Sequence, residues 1–273
     1  MPELPEARTI ARRLDSLVAA ADVRDVRLRR ADMLRTGSPD DLAAMAGERL
    51  VRADTRGKYI VLHTAARRLV IQLGMAGTIR VCDGSEPTPP HTHLTIALAD
   101  GREIRYRNVR RIASGLHVLP PGAADVGPLA ALGPEAAEIS ADALWRAVHP
   151  RRRPIKSCLL DQSLLAGLGN IYTDESLCRA DVAPGRPACC LRRATVDRLG
   201  AAIREVLAEA IAAGGSTLAD ANPFVDVDGA VGSFAAAHRV YGRGGLPCLR
   251  CGCPLTRITL AGRTTVYCPR CQT

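Results

Sequence analysis

The chain has almost no lysine. Of its 37 basic residues, only Lys58 and Lys156 are lysine, and all the others are arginine. This skew indicates GC-rich coding, in which arginine replaces lysine wherever only positive charge matters. We therefore expect both lysines to lie where a compact ammonium with rotatable donors is needed.

Long apolar runs are also absent. The sequence contains no run of 18 apolar residues, so it predicts no membrane span and no membrane partner. Its first ten residues, MPELPEARTI, carry charges where a secretion signal has an apolar segment. These absences favour a cytoplasmic protein, in a cell without organelles.

Acidic residues are too few to balance the arginines. The 273-residue chain carries a net charge of +9, and its isoelectric point is about 9.3. An excess of this size suits a polyanion, because release of phosphate counterions drives much of the affinity for DNA. A soluble basic protein without such a partner is the alternative that charge alone leaves open.

The ten cysteines do not form a disulfide pattern. Four occur as Cys248-x2-Cys251 and Cys268-x2-Cys271, the spacing of a zinc site. Four thiolates complete the coordination of zinc, so this spacing predicts a structural metal. Cys253 is a possible competitor, although only Cys251 gives the x2 spacing. The remaining cysteines are expected to be small buried residues of a reducing compartment, at positions 82, 158, 178, 189 and 190.

The first residues are candidates for chemistry. Removal of Met1 would leave Pro2 as a free secondary amine, and an α-amino group has a pKa of about 7.7–8.0. The neutral amine can attack an aldehyde carbon and form an iminium ion, which withdraws electrons as a lysine Schiff base does. Glu3 can place a general acid or base beside the same carbon. On these residues alone, an ordinary chain start remains the alternative, and Glu6 is either a partner of the helix dipole or part of the site.

The first half of the chain has the pattern of one helix followed by short strands. Apolar residues recur at helical spacing over residues 5–20, with Pro5 in the first turn. From about 22 to 120 the pattern alternates between turns, which favours a β-sandwich. Three loops of this half are candidate binding segments, and they are Arg56-Gly57-Lys58, Leu73 to Gly77 and Asn108 to Arg111.

The second half is helical. Ser140 is a candidate N-cap, and residues 195–213 form an amphipathic pattern that ends at Gly214-Gly215. Between these segments, apolar turns run into Gly167-Leu-Gly169-Asn170 and continue as helix, which predicts a helix–two-turn–helix. Residues 216–247 have the composition of a loop that reads a substrate.

Three segments together resemble the formamidopyrimidine-DNA glycosylase (Fpg/Nei) family, over essentially the full length of the chain. The segments are MPELPE at 1–6, DQSLLAGLGNIYTDE at 161–175 and AGRTTVYCPRCQ at 261–272. The resemblance implies an α+β fold with an N-terminal β-sandwich flanked by helices and a C-terminal helix–two-turn–helix domain with a four-cysteine zinc finger. It implies a monomer that clamps double-stranded damaged DNA, with one zinc ion and no organic cofactor. The predicted domains are 1–120, 136–235 with a lesion-recognition loop and 236–273, and 121–135 form the linker.

The resemblance also assigns roles to residues. Pro2 would attack C1′ of a flipped-out nucleotide, Glu3 would act as acid and base, and Glu6 would support it. Met75 and Arg110 match two of the three residues that fill the gap left by the flipped base. Lys58 belongs to the implied catalytic group and would also contact DNA. The other implied DNA contacts are His91, Arg111, Lys156, Asn170 and Arg263.

Several positions depart from the family pattern. The third gap-filling residue, usually phenylalanine, is Ile112, and the usual aspartate-proline is Asn108-Val109. Gln72 replaces a histidine, and the loop Gly232-Ser233-Phe234-Ala-Ala-Ala lacks the usual Tyr-Phe-Gln. The catalytic end is intact, so we predict retained lyase chemistry with altered or relaxed lesion choice.

Three alternatives remain at this point. A Nei-like glycosylase for oxidised pyrimidines belongs to the same enzyme class, although MPELPE favours the purine branch. A damage-binding protein without catalysis would keep the DNA clamp. A zinc-ribbon transcription or ribosomal protein would explain the finger but not the first six residues.

Overall fold

The computed structural model describes residues 2–120, 125, 127, 129–218 and 223–273, which form two compact units. Met1–Ala130 and Gly214–Ser233 make up the first unit, and Ala131–Ala213 and Phe234–Thr273 the second. Met1, much of the predicted linker and part of the predicted Asn222-Pro223 turn lie outside the described residues.

The first unit contains two β-sheets that enclose one apolar core. Its four-stranded sheet has the order β1-β7-β8-β6, and its five-stranded sheet has the order β2-β9-β5-β4-β3. The elements are α1 Leu4–Val18, β1 Val23–Leu28, β2 Leu34–Thr36, α2 Pro39–Ala43, β3 Leu50–Arg56, β4 Tyr59–Thr64, β5 Arg68–Gln72, β6 Gly77–Asp83, β7 Thr92–Leu98, β8 Arg102–Asn108 and β9 Gly115–Leu119. Side chains of both sheets and of α1 share the core, so the predicted β-sandwich flanked by helices is confirmed.

Helix α1 sets the position of the N-terminus. Its predicted apolar stripe is buried and packs on β3 and β4, with Ile10 and Leu14 almost fully inaccessible. Each such side chain contributes about 1.5–3 kcal/mol on burial. Pro2 and Glu3 are thereby fixed at the first turn of a helix that is anchored along its length.

The described residues of the segment 214–233 group with the β-sandwich, whereas the sequence-based boundary placed this segment in the helix–two-turn–helix domain. Val227 is fully buried in the core of the first unit, and Phe224 packs against that core. This apolar contact is the physical reason for the difference, because a loop read from composition carries no sign of where it packs.

The second unit contains four α-helices, short 3₁₀ helices and a β-hairpin. Its elements are α3 Ala141–Val148, α4 Ile155–Leu159, α5 Asn170–Arg179, α6 Arg193–Ala212, β10 Thr256–Leu260 and β11 Arg263–Tyr267. The Ser140 hydroxyl accepts the Ala143 N–H at 3.2 Å, which confirms the predicted N-cap. Helix α6 confirms the predicted amphipathic helix, and both glycines after it adopt positive φ, 72° and 85°.

Other predictions for this unit require correction. Residues 234–237 form a 3₁₀ helix rather than open loop, because buried Phe234 packs 5.8 Å from the Tyr172 ring. Cys82 and Cys158 are buried as predicted and Cys178 is half-buried, but Cys190 is exposed and Cys189 is also half-buried. These two cysteines lie in a surface turn whose buried member is Ala188. Within the described residues, no helix has the length and apolar character needed to cross a membrane.

Candidate functional site

The start of α1 holds the candidate nucleophile and its carboxylates. Glu3 is the N-cap residue, and its side chain and that of Glu6 each accept the other residue's backbone N–H in a capping box. Both carboxylates are nearly inaccessible, at 3% and 2% exposure. The Glu3 N–H belongs to the peptide bond between Pro2 and Glu3, and it donates to Glu6 Oε2 at 2.8 Å. The capping box therefore fixes the peptide that carries the candidate amine.

The second oxygen of Glu6 binds a distant part of the same unit. The Ser216 N–H donates to Glu6 Oε1 at 2.7 Å. Gly215, which precedes it, has φ +85°, and a Cβ there would lie 2.8 Å from that oxygen. With both oxygens accepting backbone N–H groups, Glu6 acts as a clamp between α1 and the segment 214–233. Proton transfer is therefore better suited to Glu3 than to Glu6.

Lys58 lies in the turn between β3 and β4. Gly57 adopts φ +57° in this turn, which lets the two strands reverse direction tightly between Arg56 and Tyr59. Strands β3 and β4 are the ones on which α1 packs. The helix that follows Pro2 therefore packs on the two strands that the Lys58 turn connects.

Asn108 joins the two loops that contain the candidate gap-filling residues. Its buried amide donates to the Leu73 carbonyl at 3.0 Å and to the Tyr106 hydroxyl at 3.0 Å. Its carbonyl oxygen accepts the N–H groups of Arg110 at 3.1 Å and Arg111 at 2.8 Å. All four hydrogen-bonding positions of the amide are used. Sequence analysis placed Asn108 in a candidate binding segment and noted it as a departure from the family, but it missed this role, although the position at a strand end was visible.

The residues carried by these loops point outward. Met75 is 41% exposed and Ile112 is 55% exposed, and the Met75 N–H donates to the Ile112 carbonyl at 3.4 Å. Gly74 permits this contact, because a Cβ there would lie 2.3 Å from the same carbonyl. Exposed apolar side chains held by a tight backbone contact are suited to insertion between bases.

The cations beside them differ in their partners. Arg110 is exposed, whereas the Arg111 guanidinium lies 3.1 Å from the Asp32 carboxylate. Arg111 also has φ +55°, a left-handed conformation within the turn after β8. The exposed His91 has φ +66°, and its carbonyl accepts the Asn108 N–H at 3.0 Å. Apart from Lys58, the predicted DNA-contacting residues of this unit therefore lie on loops that are hydrogen-bonded to Asn108 or to each other.

Replacement of Asn108 by alanine tests that organisation. The change leaves the Leu73 carbonyl and two backbone N–H groups without their partner, so we expect a loss of about 2–4 kcal/mol in the free energy of unfolding. Urea denaturation measures it, with the exposed Val109→Ala as the matched control. A loss below about 0.5 kcal/mol, typical of surface substitutions, would contradict the role assigned to Asn108.

In the second unit, Gln162 shapes the loop between α4 and α5. Its amide donates to the carbonyls of Leu160 at 3.1 Å and Leu168 at 2.8 Å, and its oxygen accepts the Gly167 N–H at 3.0 Å. Gly167 has φ +105°, which a side chain disfavours. The Gln162 side chain therefore stabilises the turns of the predicted helix–two-turn–helix. Asn170 follows these turns as the first residue of α5.

Asn170 and Arg263 are linked through the hairpin. The Asn170 amide donates to the Thr264 carbonyl at 2.9 Å. Arg263 precedes Thr264 and is exposed at the start of β11, after a two-residue turn in which Ala261 and Gly262 both have positive φ. The structure therefore brings together the two residues of this unit that sequence analysis assigned to phosphate.

Lys156, predicted to contact DNA, is instead fully buried. Its ammonium donates to Asp174 Oδ1 at 2.6 Å and to the Thr264 carbonyl at 3.3 Å, and Asp174 Oδ2 accepts the Val266 N–H at 3.2 Å. The prediction is corrected because the side chain points into the unit, where it joins α4, α5 and β11. Lys156 positions the hairpin and does not reach a phosphate directly.

Loss of the Lys156 ammonium should be costly. Lys156→Met leaves the Asp174 carboxylate buried without its partner, and we expect a destabilisation of about 3–5 kcal/mol. Burial raises the pKa of Asp174 to about 6, although Lys156 lowers it. The folded carboxyl thus binds its proton more tightly than the unfolded one, and the stability it contributes below pH 3.8 is lost as pH rises through 6. Without Lys156 this trend is stronger, so urea denaturation should give a larger loss at pH 8 than at pH 5.

The double variant Lys156→Met/Asp174→Leu is the control for that experiment. It removes both charges together, and apolar replacements of buried pairs are often neutral or stabilising. We expect it to recover most of the stability that the single variant loses. An equal loss in both variants, or a loss that does not change with pH, would contradict a buried ion pair.

Glu175 is a second buried carboxylate that sequence analysis missed. It accepts the consecutive backbone N–H groups of Arg239, Val240 and Tyr241 at 2.9, 3.0 and 2.8 Å. These bonds fix the chain segment that leads into the zinc finger. No local pattern reveals this role, because the partners lie 64 to 66 positions along the sequence.

The four predicted zinc ligands lie together. The sulfur atoms of Cys248, Cys251, Cys268 and Cys271 are all within 4.8 Å of one another, a grouping that fits one tetrahedral zinc ion. Cys253 is outside this group, and its thiol donates to the Pro254 carbonyl at 3.7 Å. Cys251, and not Cys253, therefore belongs to the predicted zinc site. Bound zinc would hold together the two ends of the β10–β11 hairpin.

Comparison with known proteins agrees with this architecture. Residues 1–114 match the formamidopyrimidine-DNA glycosylase N-terminal domain, 131–222 its H2TH domain, and 245–273 the zinc finger found in FPG and IleRS. The formamidopyrimidine-DNA glycosylase of Geobacillus kaustophilus is 40% identical, with both chains covered in full. That of Bacillus subtilis is 37% identical, over 100% of this chain and 99% of the relative.

Solved structures give the same result. The MutM (Fpg) protein from Thermus thermophilus is 41% identical, with a TM-score of 0.88 over 99% of this chain and 98% of that chain. A Lactococcus lactis Fpg variant in complex with DNA containing Fapy-dG is 30% identical, with a TM-score of 0.90 and full coverage of both chains. The chain therefore belongs to the formamidopyrimidine-DNA glycosylase family.

Proposed function

We propose that this protein is a bifunctional enzyme of base excision repair, a DNA glycosylase that is also an AP lyase. Its substrate is double-stranded DNA that carries an oxidised purine, such as 8-oxoguanine or a formamidopyrimidine. It acts as a monomer in the cytoplasm, with one structural zinc ion. The observation that carries the proposal is the position of Pro2, whose peptide is held at the start of α1 by the buried Glu3 and Glu6.

The reaction begins when the damaged nucleotide leaves the base stack, because C1′ is not accessible within it. The Pro2 nitrogen forms a bond to C1′, and the base departs with the electrons of its own bond to that carbon. The nitrogen loses its proton and the C1′–O4′ bond of the sugar breaks, with its electrons going to O4′, which gives an iminium ion. This ion makes the C2′ proton acidic, so that the bonds to the 3′ and then the 5′ phosphate break by elimination. Glu3 transfers protons at the opening sugar.

The remaining predicted residues hold the DNA. Lys58, Asn170 and Arg263 bind phosphates, and His91 and Arg111 contribute further contacts to the DNA. Met75, Arg110 and Ile112 fill the space that the flipped nucleotide vacates. Lys156 supports Asn170 and Arg263 from inside the fold, through the Thr264 carbonyl.

A panel of lesion-containing duplexes with borohydride tests the function. We expect a covalent adduct on an abasic-site duplex, since a reduced iminium cannot dissociate, and excision of formamidopyrimidine lesions. Excision of oxidised pyrimidines alone would instead identify a Nei-like glycosylase. Binding without any adduct would identify a protein that recognises damage and does no chemistry.

We further propose an altered or relaxed choice of lesion, because Ile112 lacks the aromatic face of the usual phenylalanine. Base stacking on an aromatic ring is worth about 1–3 kcal/mol, so Ile112→Phe should tighten binding to an abasic-site duplex by about tenfold or more. Ile112→Leu is the matched control, since it keeps the volume without the ring. Equal affinities of the two variants, or excision of 8-oxoguanine opposite cytosine at the rate of an ordinary family member, would overturn this part of the proposal.

A further inference from the structure

Two adjacent cysteines lie outside the zinc site and outside the proposed reaction. Cys189 and Cys190 occupy one 3₁₀ turn of the second unit, and their sulfur atoms are 3.9 Å apart. Adjacent Cα atoms lie about 3.8 Å apart, closer than the roughly 4.4–6.8 Å that a disulfide usually spans. An atom that bridges the two sulfurs therefore suits this pair better than a direct bond between them.

The turn that carries the thiols is fixed by backbone hydrogen bonds. The Cys189 N–H donates to the Arg151 carbonyl at 2.8 Å, and the Ala188 N–H donates to the Arg153 carbonyl at 3.0 Å. The Cys190 N–H closes the turn on the Pro187 carbonyl at 3.0 Å. A ligand of both sulfurs would thus meet a pair that is already oriented, which lowers the entropic cost of binding.

The spacing and the surroundings limit the class of ligand. Two sulfurs bound to one atom at about 2.3 Å, as in zinc thiolates, are separated by about 3.5–4 Å. A tetrahedral metal ion would need further ligands, but the four zinc cysteines are the sole group of three or more metal-binding side chains among the described residues. The hydrogen bond with Cys189 raises the pKa of Cys190, although the nearby Arg186 guanidinium lowers it. The positive charge of Arg186 beside this pair disfavours a cation and suits a neutral centre that is satisfied by two sulfurs.

We propose that Cys189 and Cys190 form a binding site for trivalent arsenicals. An aryl arsenoxide reacts with both thiols, so that two As–S bonds replace the bonds from arsenic to oxygen. The oxygen leaves as water with the two thiol protons. Arsenic remains trivalent throughout, and no oxidant or reductant is required. The site lies apart in sequence from Pro2 and from the zinc ligands, and it does not depend on the glycosylase reaction.

Intact mass spectrometry of the zinc-loaded full chain with phenylarsine oxide tests the proposal. We expect one arsenical per chain, with unchanged zinc content, and release by a 1,2-dithiol but not by a monothiol. Cys190→Ser and Cys189→Ser should each abolish the adduct, whereas Cys253→Ser should retain it. Cys190 is exposed, so its replacement leaves the core intact, and an unchanged melting temperature checks this. An adduct that survives both serine replacements, or that forms only as zinc is released, would overturn the assignment.

Discussion

One serine inserted before Pro2 should abolish the borohydride-trapped adduct with abasic-site DNA. The insertion converts the proline nitrogen into an amide, which has no basic lone pair for attack on C1′. It also moves the new terminal amine by about 3.8 Å, away from the position that the capping box fixes. Loss of a catalytic nucleophile lowers turnover by several orders of magnitude, and we expect a fall in adduct formation on the order of 10³-fold or more.

The matched control for that insertion is one serine added after Thr273, which leaves the N-terminus unchanged. Gel retardation with an uncleavable abasic analogue should show that both proteins still bind DNA, so that only the chemical step is lost. Peptide mapping should place the reduced adduct of the native chain on Pro2. An adduct on Lys58, or full activity of protein that retains Met1, would exclude the proposed nucleophile.

Replacement of Cys271 by serine should release the zinc ion and weaken DNA binding severely. Two zinc ligands precede β10 and two follow β11, and the hairpin between them has few buried apolar residues of its own. Zinc binding contributes about 10–16 kcal/mol to the folding of isolated finger peptides, so the hairpin should lose its order without the metal. Arg263 and the Thr264 carbonyl would then lose their fixed positions, and we expect at least a tenfold loss in affinity for an abasic-site duplex.

Cys253→Ser is the control, because Cys253 is also half-buried and lies two residues from a ligand without belonging to the cluster. It should keep one zinc ion per chain and bind DNA as the native protein does. Metal content by atomic absorption and affinity by fluorescence anisotropy distinguish the two variants. Zinc loss from Cys253→Ser with retention in Cys271→Ser would reverse the ligand assignment.

Features set by local pattern were predictable from the sequence. Helix α1 follows from apolar periodicity, the short strands between about 22 and 120 follow from the repeated turn signals, and the Ser140 cap and the four zinc ligands follow from spacing. Other elements carry weaker local signals. The helix α2 is five residues long, and strands such as β9 are buried on both faces and show no alternation. The chemistry of the first residues suggested an amine nucleophile at Pro2, and the family resemblance supplied its expected target, C1′ of a flipped-out nucleotide.

Roles that depend on distant partners were not predictable. Asn108 reaches Leu73 across 35 positions, Lys156 reaches Thr264 across 108, and Glu6 reaches Ser216 across 210. Each side chain has a polar identity that fits a solvated surface equally well, and only the folded chain identifies the partner. The scarcity of lysine was nevertheless informative, because it indicated that residue 156 requires an ammonium group.

The burial of Lys156 also gives a physical reason for lysine at this position in a chain whose basic residues are otherwise arginine, apart from Lys58. An ammonium brings three N–H donors to the enclosed space between Asp174 and the Thr264 carbonyl, whereas a guanidinium would bring five on a wider planar group. Each donor left without an acceptor in such a space costs about 1–3 kcal/mol. Arginine can therefore replace lysine where the side chain is exposed to solvent, but at residue 156 this replacement would destabilise the folded protein.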